Sequence, residues 1–201
     1  YLKVNMESSA NGKRYIMSEL EAFGTGALRA VPKPRELPTP DRITLNGGDW
    51  RLQRLSLVPE KGYVISRKDY QGAETWPIAT VPGTVLSSYL NMGALPDPNY
   101  GDNQLQISES FFREDFWYRT EFFVPEDFKK DELFLHFDGI NWVAVVFLNG
   151  ERIGRINGAF TRAKFNITNK IIPGASNVLA VTIIDNRNFG AVKEQNAVSP
   201  D

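Results

Sequence analysis

The sequence predicts an all-β protein: an antiparallel β-sandwich of jelly-roll type with one short helix. Three observations carry that expectation. The stretch from Asp131 to Phe160 joins an alternating strand, in which Leu133, Leu135 and Phe137 interleave with Phe134 and His136, to the unbroken apolar run Trp142–Leu148. A run apolar on both faces belongs in a sheet covered on both sides. Asn149-Gly150 then reverses the chain, because both residues accept the positive φ of a type I′ turn, and Glu151 to Ile156 returns as the partner strand. Elsewhere many short strand-like runs are separated by turn signals at short intervals, and one amphipathic helix stands among them.

In chain order, Tyr1 to Val4 and Tyr15 to Phe23 read as a hairpin with Asn11-Gly12 at its turn. A lone hairpin is barely stable, so residues 1–26 must lean on the sandwich or on a neighbouring chain. Residues 27–42 hold four prolines and read as an extended, semi-rigid linker, the best domain boundary. The sandwich occupies 43–184. Its early core residues are Trp50, Leu52 and Leu55, followed by a polar loop and edge strand over Lys61 to Gln71. Trp76 to Val81 is short and apolar. Thr84 to Met92 forms the helix, with Thr84 as its cap, Leu86, Tyr89 and Leu90 on one face, and Gly93 at its end. A loop dense in turn formers, Leu95 to Asn103, follows. Phe116 to Val124, Ala163 to Ile167 and Val178 to Ile184 complete the strands, and 185–201 is a polar tail.

Composition narrows the function. With 201 residues, net charge −1 and no basic stripe, the chain is not built for nucleic acid or anionic membranes. No apolar run is long enough to span a bilayer, and the N-terminus lacks the apolar core of a signal peptide. It also lacks an initiator Met, and the chain reads as a piece of something longer. The absence of cysteine removes disulfides and thiolate metal sites and leaves the redox compartment open. The four Trp, seven Tyr and thirteen Phe are expected mainly in the core.

Few residues could carry chemistry. The single histidine, His136, sits in an apolar strand and reads as structural. Acid–base work by paired carboxylates is the one enzyme chemistry on offer, from Asp97, Asp102, Glu109, Glu114 and Asp115. Asn166-Ile167-Thr168 fits a glycosylation sequon, a short pattern that arises readily by chance. The loop Asp97-Pro98-Asn99-Tyr100-Gly101-Asp102-Asn103 alternates oxygen groups but misplaces the glycine and final glutamate of a calcium loop, so no metal is expected. Carboxylate, amide and a tyrosine ring face together suit sugar hydroxyls; a polar turn held by its own side chains fits equally well.

Several marks in order then give a resemblance. Val81-Pro82-Gly83-Thr84, the helix, the loop 97–103, Phe116-Trp117-Tyr118-Arg119, Phe137-Asp138-Gly139, Leu148-Asn149-Gly150 and Asn177-Val178-Leu179-Ala180-Val181 resemble the N-terminal sugar-binding-like domain of glycoside hydrolase family 2. The likeness covers about Leu45 to Ile184 and leans toward the β-mannosidase and exo-β-glucosaminidase branch. It implies a galactose-binding-like jelly roll that supports a catalytic barrel of a retaining β-glycosidase and lends a loop to its sugar site. By motif position the substrate-binding residues would be Asp102 and Asn103, with Tyr100 and Asp97 beside them. The family's catalytic glutamates lie on the barrel, so no catalytic residue and no cofactor are expected in this chain. The implied partners are a β-linked glycan and the remaining domains of the parent enzyme, and the implied location is periplasmic, secreted or cell-surface. The tail 185–201 stops before the family's closing strand. Tyr15 to Gly24 is similar to the closing strand of discoidin-type (coagulation factor 5/8 C-terminal) domains, which implies that 1–26 ends such a domain. Two other readings stay open: a free-standing carbohydrate-binding module, which needs an exposed aromatic platform or cleft, and a structural docking sandwich, which needs an exposed apolar face.

Overall fold

The computed structural model describes residues 3–8, 42–47, 49–128 and 131–186. Among them nine strands form two antiparallel sheets. The strands are β1 (Lys3–Ser8), β2 (Arg42–Leu45), β3 (Trp50–Arg54), β4 (Phe116–Val124), β5 (Leu133–Ile140), β6 (Val143–Leu148), β7 (Glu151–Asn157), β8 (Thr161–Asn166) and β9 (Ala175–Ile184). One sheet has the order β2-β1-β5-β8 and the other β3-β4-β9-β6-β7. The antiparallel β-sandwich is as the sequence predicts.

Period-two alternation in β5 buries Leu133, Leu135 and Phe137 against the facing sheet. They meet Tyr118, Phe122 and Val124 of β4, Val146 and Leu148 of β6, and Leu179 and Val181 of β9. The opposite side of the five-stranded sheet is buried as well. Trp117, Phe147 and Ala180 form a second cluster there with Val58, Ile65, Ala73 and Trp76. The segment 55–76 therefore covers the outer face, which is why β4, β6 and β9 read as nearly continuous apolar runs.

That covering segment departs from the expected loop and edge strand. It contains a helical turn, α1 (Gly62–Ile65), between two 3₁₀ turns at Leu55–Leu57 and Ala73–Thr75. The reason is tertiary. An added Cβ at Gly62 would overlap the Phe147 ring, so only glycine lets the backbone lie this close to β6. The buried Arg119 side chain donates Nε–H to Ile65 O at 2.9 Å and Nη2–H to Arg67 O at 3.3 Å, and it ion-pairs with Glu121 at 2.7 Å. Ser66 Oγ donates to Gly62 O and accepts from Gly150 N.

Helix α2 (Val85–Asn91) carries the expected Thr84 cap. Thr84 Oγ1 accepts from Ser87 N at 3.0 Å and Ser87 Oγ accepts from Thr84 N at 2.7 Å. Its core face differs from the expected one. Val85, Ser88 and Tyr89 turn inward, whereas Leu86 and Leu90 are half-exposed. Ser88 Oγ accepts from Thr80 N, which ties that face to the preceding strand-like segment. Gly93, at φ +73°, ends the helix as expected. A third short helix, α3 (Asn103–Gln106), was not anticipated.

The Asn149-Gly150 turn has φ +50° and +84°, and β6 and β7 pair as a hairpin around it, as predicted. The expected hairpin at the N-terminus has its second arm, 15–23, outside the described residues, as do most of the linker and the tail. Of the first arm, Tyr1 to Val4, only residues 3 and 4 are described, and they open the longer strand Lys3–Ser8, which runs between β2 and β5 with Val4 opposite Leu45 and Met6 opposite Leu135.

Candidate functional site

The four predicted site residues lie in one excursion that leaves the sandwich at α2 and returns at a 3₁₀ turn, Glu109–Phe111. Its base is held firmly. Gly93 N donates to Leu90 O and Ala94 N to Tyr89 O, both at 2.9 Å. On the return side Phe111 sets its ring edge-on to Tyr89, 6.0 Å between centroids, and Arg54 lies over the Phe111 face at 5.5 Å.

Within the excursion the four residues divide into two pairs. Asp97 and Asn103 build the loop. Asp97 Oδ1 accepts from Asn99 N at 2.9 Å, an Asx turn, and Asn103 Nδ2 donates to Asp97 O at 2.9 Å. Tyr100 N also donates to Asp97 O, and Asn103 N to Tyr100 O, so the backbone closes on itself. Tyr100 and Asp102 are displayed. The Tyr100 side chain is 76% exposed, and Asp102 sits at the N-cap of α3 without using its carboxylate to cap it. Leu105, 79% exposed, stands on the same turn. A ring, a carboxylate and an aliphatic side chain are thus offered outward on a frame fixed by Asp97 and Asn103.

The other carboxylates singled out as acid–base candidates are engaged. Glu109 pairs with Arg113. Glu114 Oε1 accepts from Ser56 N at 3.0 Å, and its second oxygen is 3.8 Å from Arg54. Asp115 Oδ1 accepts from Asp185 N at 2.9 Å and so fixes the end of β9. The sequon Asn166-Ile167-Thr168 is likewise a local turn: Thr168 donates to Asn166 Oδ1 and accepts from Leu133 N. His136 is half-buried beside Phe134, 6.3 Å between centroids.

One feature escaped the sequence reading. Beside the base of the excursion is a cavity of about 430 Å³, lined by Leu86, Phe112, Phe116, Ile140, Trp142 and Asp185. None of the four predicted site residues lines it. Trp142 belongs to the apolar run in sequence but lies just before β6, where it is 37% exposed. At the cavity floor burial pushes the Tyr118 hydroxyl well above the ordinary tyrosine value; nearby Tyr89 adds to the shift, and a hydrogen bond with Ser88 opposes it.

A family model described as the glycosyl hydrolase 2 galactose-binding domain-like domain matches residues 64–199. The chain belongs to this family. The match begins later than the resemblance drawn from motifs and extends into the polar tail. Among curated relatives of this glycosyl hydrolase 2 domain, an exo-β-D-glucosaminidase of Streptomyces avermitilis is 29% identical over 168 residues, covering 79% of this chain and 18% of that protein. A mannosylglycoprotein endo-β-mannosidase of Lilium longiflorum is 36% identical over 111 residues, 54% of this chain and 12% of that protein. The crystal structure of the Amycolatopsis orientalis exo-chitosanase superposes with a TM-score of 0.62 at 25% identity, covering 70% of this chain and 16% of that one. The chain thus spans less than a fifth of the length of these relatives.

Proposed function

We propose that this family 2 domain serves, without catalysis of its own, within a β-glycoside hydrolase, where it supports the catalytic domain and lends the loop 97–103 to the sugar site. The observation that carries the reading is the division of labour in that loop. Asp97 and Asn103 hold its shape, while the exposed Asp102, whose carboxylate does not cap α3, and the Tyr100 ring are presented outward. A carboxylate accepts from two sugar hydroxyls at once, and a phenol ring covers the C–H face of a pyranose. The exposed Leu105 beside them supplies an apolar contact for the neighbouring domain. Relatives named glucosaminidase and mannosidase support a β-linked glycan as substrate, and the same kinship favours a periplasmic, secreted or cell-surface setting.

The engaged state of Glu109, Glu114 and Asp115 leaves no free carboxylate pair among these candidates for hydrolysis within the domain. The test is Asp102→Ala in the full-length enzyme. A fall in kcat/KM with an unchanged unfolding midpoint supports the loop as a sugar contact. An unchanged kcat/KM removes it from the site.

A further inference from the structure

Strand pairing lines up Gln53, Trp117, Thr182 and Val145 across the outer face of the five-stranded sheet. Between this row and the covering segment lies a cavity of about 350 Å³, walled by Val58 and Tyr63 on one side and by Trp117, Phe147 and Thr182 on the other. Three features set it apart from a packing gap. Trp117 is only 4% exposed, and its indole Nε1–H is buried without an acceptor. Buried donors nearly always have partners, and one left unpaired carries a desolvation penalty that a bound acceptor relieves. Tyr63 is 51% exposed, yet its ring is fixed edge-on to Phe147, 5.3 Å between centroids at 78°. It is an aromatic face held in place and open to solvent. Thr182, directly across from Trp117, brings a hydroxyl that can both donate and accept.

The chemistry of the walls selects the occupant. Trp117 and Thr182 are neutral, and the two charged residues of the rim, Glu60 and Lys61, are of opposite sign, so the cavity favours neither an anion nor a cation. A ligand that fits has one apolar face for Tyr63 and oxygens at its edge for an N–H and a hydroxyl. We propose that this cavity binds a neutral pyranose unit, stacked on Tyr63, with one ligand oxygen accepting from Trp117 Nε1–H and a hydroxyl bonded to Thr182. Because the indole N–H is shielded, the rim at Glu60 and Lys61 opens as the sugar seats, while Tyr63 keeps its place against Phe147. The site stands apart from the loop reading and does not depend on Asp102.

The test is a titration of the 201-residue chain with methyl β-D-glucopyranoside, methyl β-D-mannopyranoside and methyl β-D-galactopyranoside, following the indole N–H resonances by NMR. The Trp117 signal is identified by its loss in Trp117→Phe, or by through-bond connectivity in the wild type if that variant does not fold. At least one glycoside is expected to shift this signal saturably. Tyr63→Ala, a surface change, is expected to weaken binding by roughly fivefold or more, and Thr182→Val to weaken it also. Asp102→Ala is expected to leave the titration unchanged, so failure of the loop reading and failure of this one are separable. The proposal is overturned if no glycoside shifts Trp117 up to about 50 mM, if Tyr63→Ala leaves the affinity unaltered, or if the shift is confined to Trp142. Perturbation of Trp117 by the enzyme's remaining domains, added without sugar and blocking the glycoside, would assign the cavity to a protein contact instead and equally overturn it.

Discussion

Asn149 Nδ2 donates to Asn177 Oδ1 at 2.7 Å, and through this pair the β6–β7 turn is tied to the start of β9. Asn177 has no capacity to spare, and Asn149 spends both of its amide N–H groups. Asn149 also donates to Lys170 O and accepts from Val178 N, while Asn177 exchanges hydrogen bonds with Ile172 and donates to Ala175 O. Asn177 is fully buried, so removing its amide strands several backbone groups. Asn177→Ala is expected to lower stability by about 2–4 kcal/mol. Asn149→Gly keeps the positive φ and loses only the side-chain bonds, so about 1–2 kcal/mol is expected. Urea denaturation of both variants checks the order.

In the loop, the two residue pairs should separate cleanly. Asp102→Ala is expected to change stability by less than about 0.5 kcal/mol and to lower kcat/KM of the full-length enzyme about tenfold or more. Asn103→Ala removes a partly buried bond to Asp97 O and should cost about 1 kcal/mol of stability. Paired unfolding and steady-state measurements on the two variants distinguish display from scaffolding. Equal stability losses would mean that Asp102 is structural.

Arg119 clamps the covering segment to the sheet. Its side chain is nearly buried, and it bonds two carbonyls of that segment as well as Glu121. Arg119→Ala leaves Ile65 O unpaired beneath the cover and is expected to cost about 3 kcal/mol or more. Hydrogen exchange should show amides in 62–67 losing protection ahead of those in β5. Uniform loss across both sheets would show that the cover and the sandwich open as one unit.

Stability should decline in alkali. Burial raises the Tyr118 hydroxyl above its unfolded value of about 10, so the folded state binds the proton more tightly than the unfolded one. The associated stability is fully present below that pH and is lost as pH rises above it. Tyr70 is raised as well, first by burial and then by Glu60, and adds in the same direction. Tyr118→Phe is expected to flatten the fall in urea midpoint between neutral pH and the unfolded tyrosine range and beyond. An unchanged profile would place the alkaline loss elsewhere.

Purified chain is expected to release no p-nitrophenol from aryl β-glycosides, since Glu109, Glu114 and Asp115 all serve structural contacts. Turnover abolished by Glu109→Gln or Asp102→Asn would reverse that expectation.

What could be read from the sequence was what short-range physics decides. The alternation in β5, the apolar run of β6, the Asn149-Gly150 turn and the Thr84 cap each need only their neighbours. The loop 97–103 was visible as a cluster of residue types. Which of its members face outward was not, because that depends on Asn103 reaching back to Asp97. α1 was hidden because its helical turn is set by Phe147 and Arg119, partners more than fifty residues away. The placement of β1 beside β5 joins residues over a hundred and twenty positions apart and leaves no local trace. Trp117, Thr182 and Val145 become neighbours only through pairing of three strands, so no spacing along the chain announces their cavity.

The position of β9 has a consequence for how this molecule is made. It is the last described strand in the chain but lies at the middle of its sheet, pairing with all nine residues of β4 on one side and all six of β6 on the other. Until it emerges from the ribosome, β3–β4 and β6–β7 are two separate ribbons, neither stable alone. Folding of the five-stranded sheet is therefore expected to be post-synthetic with respect to most of the domain. Nascent chains arrested with β9 still in the exit tunnel should remain protease-sensitive, and those extended just far enough to release Ile184 should become resistant in a single step.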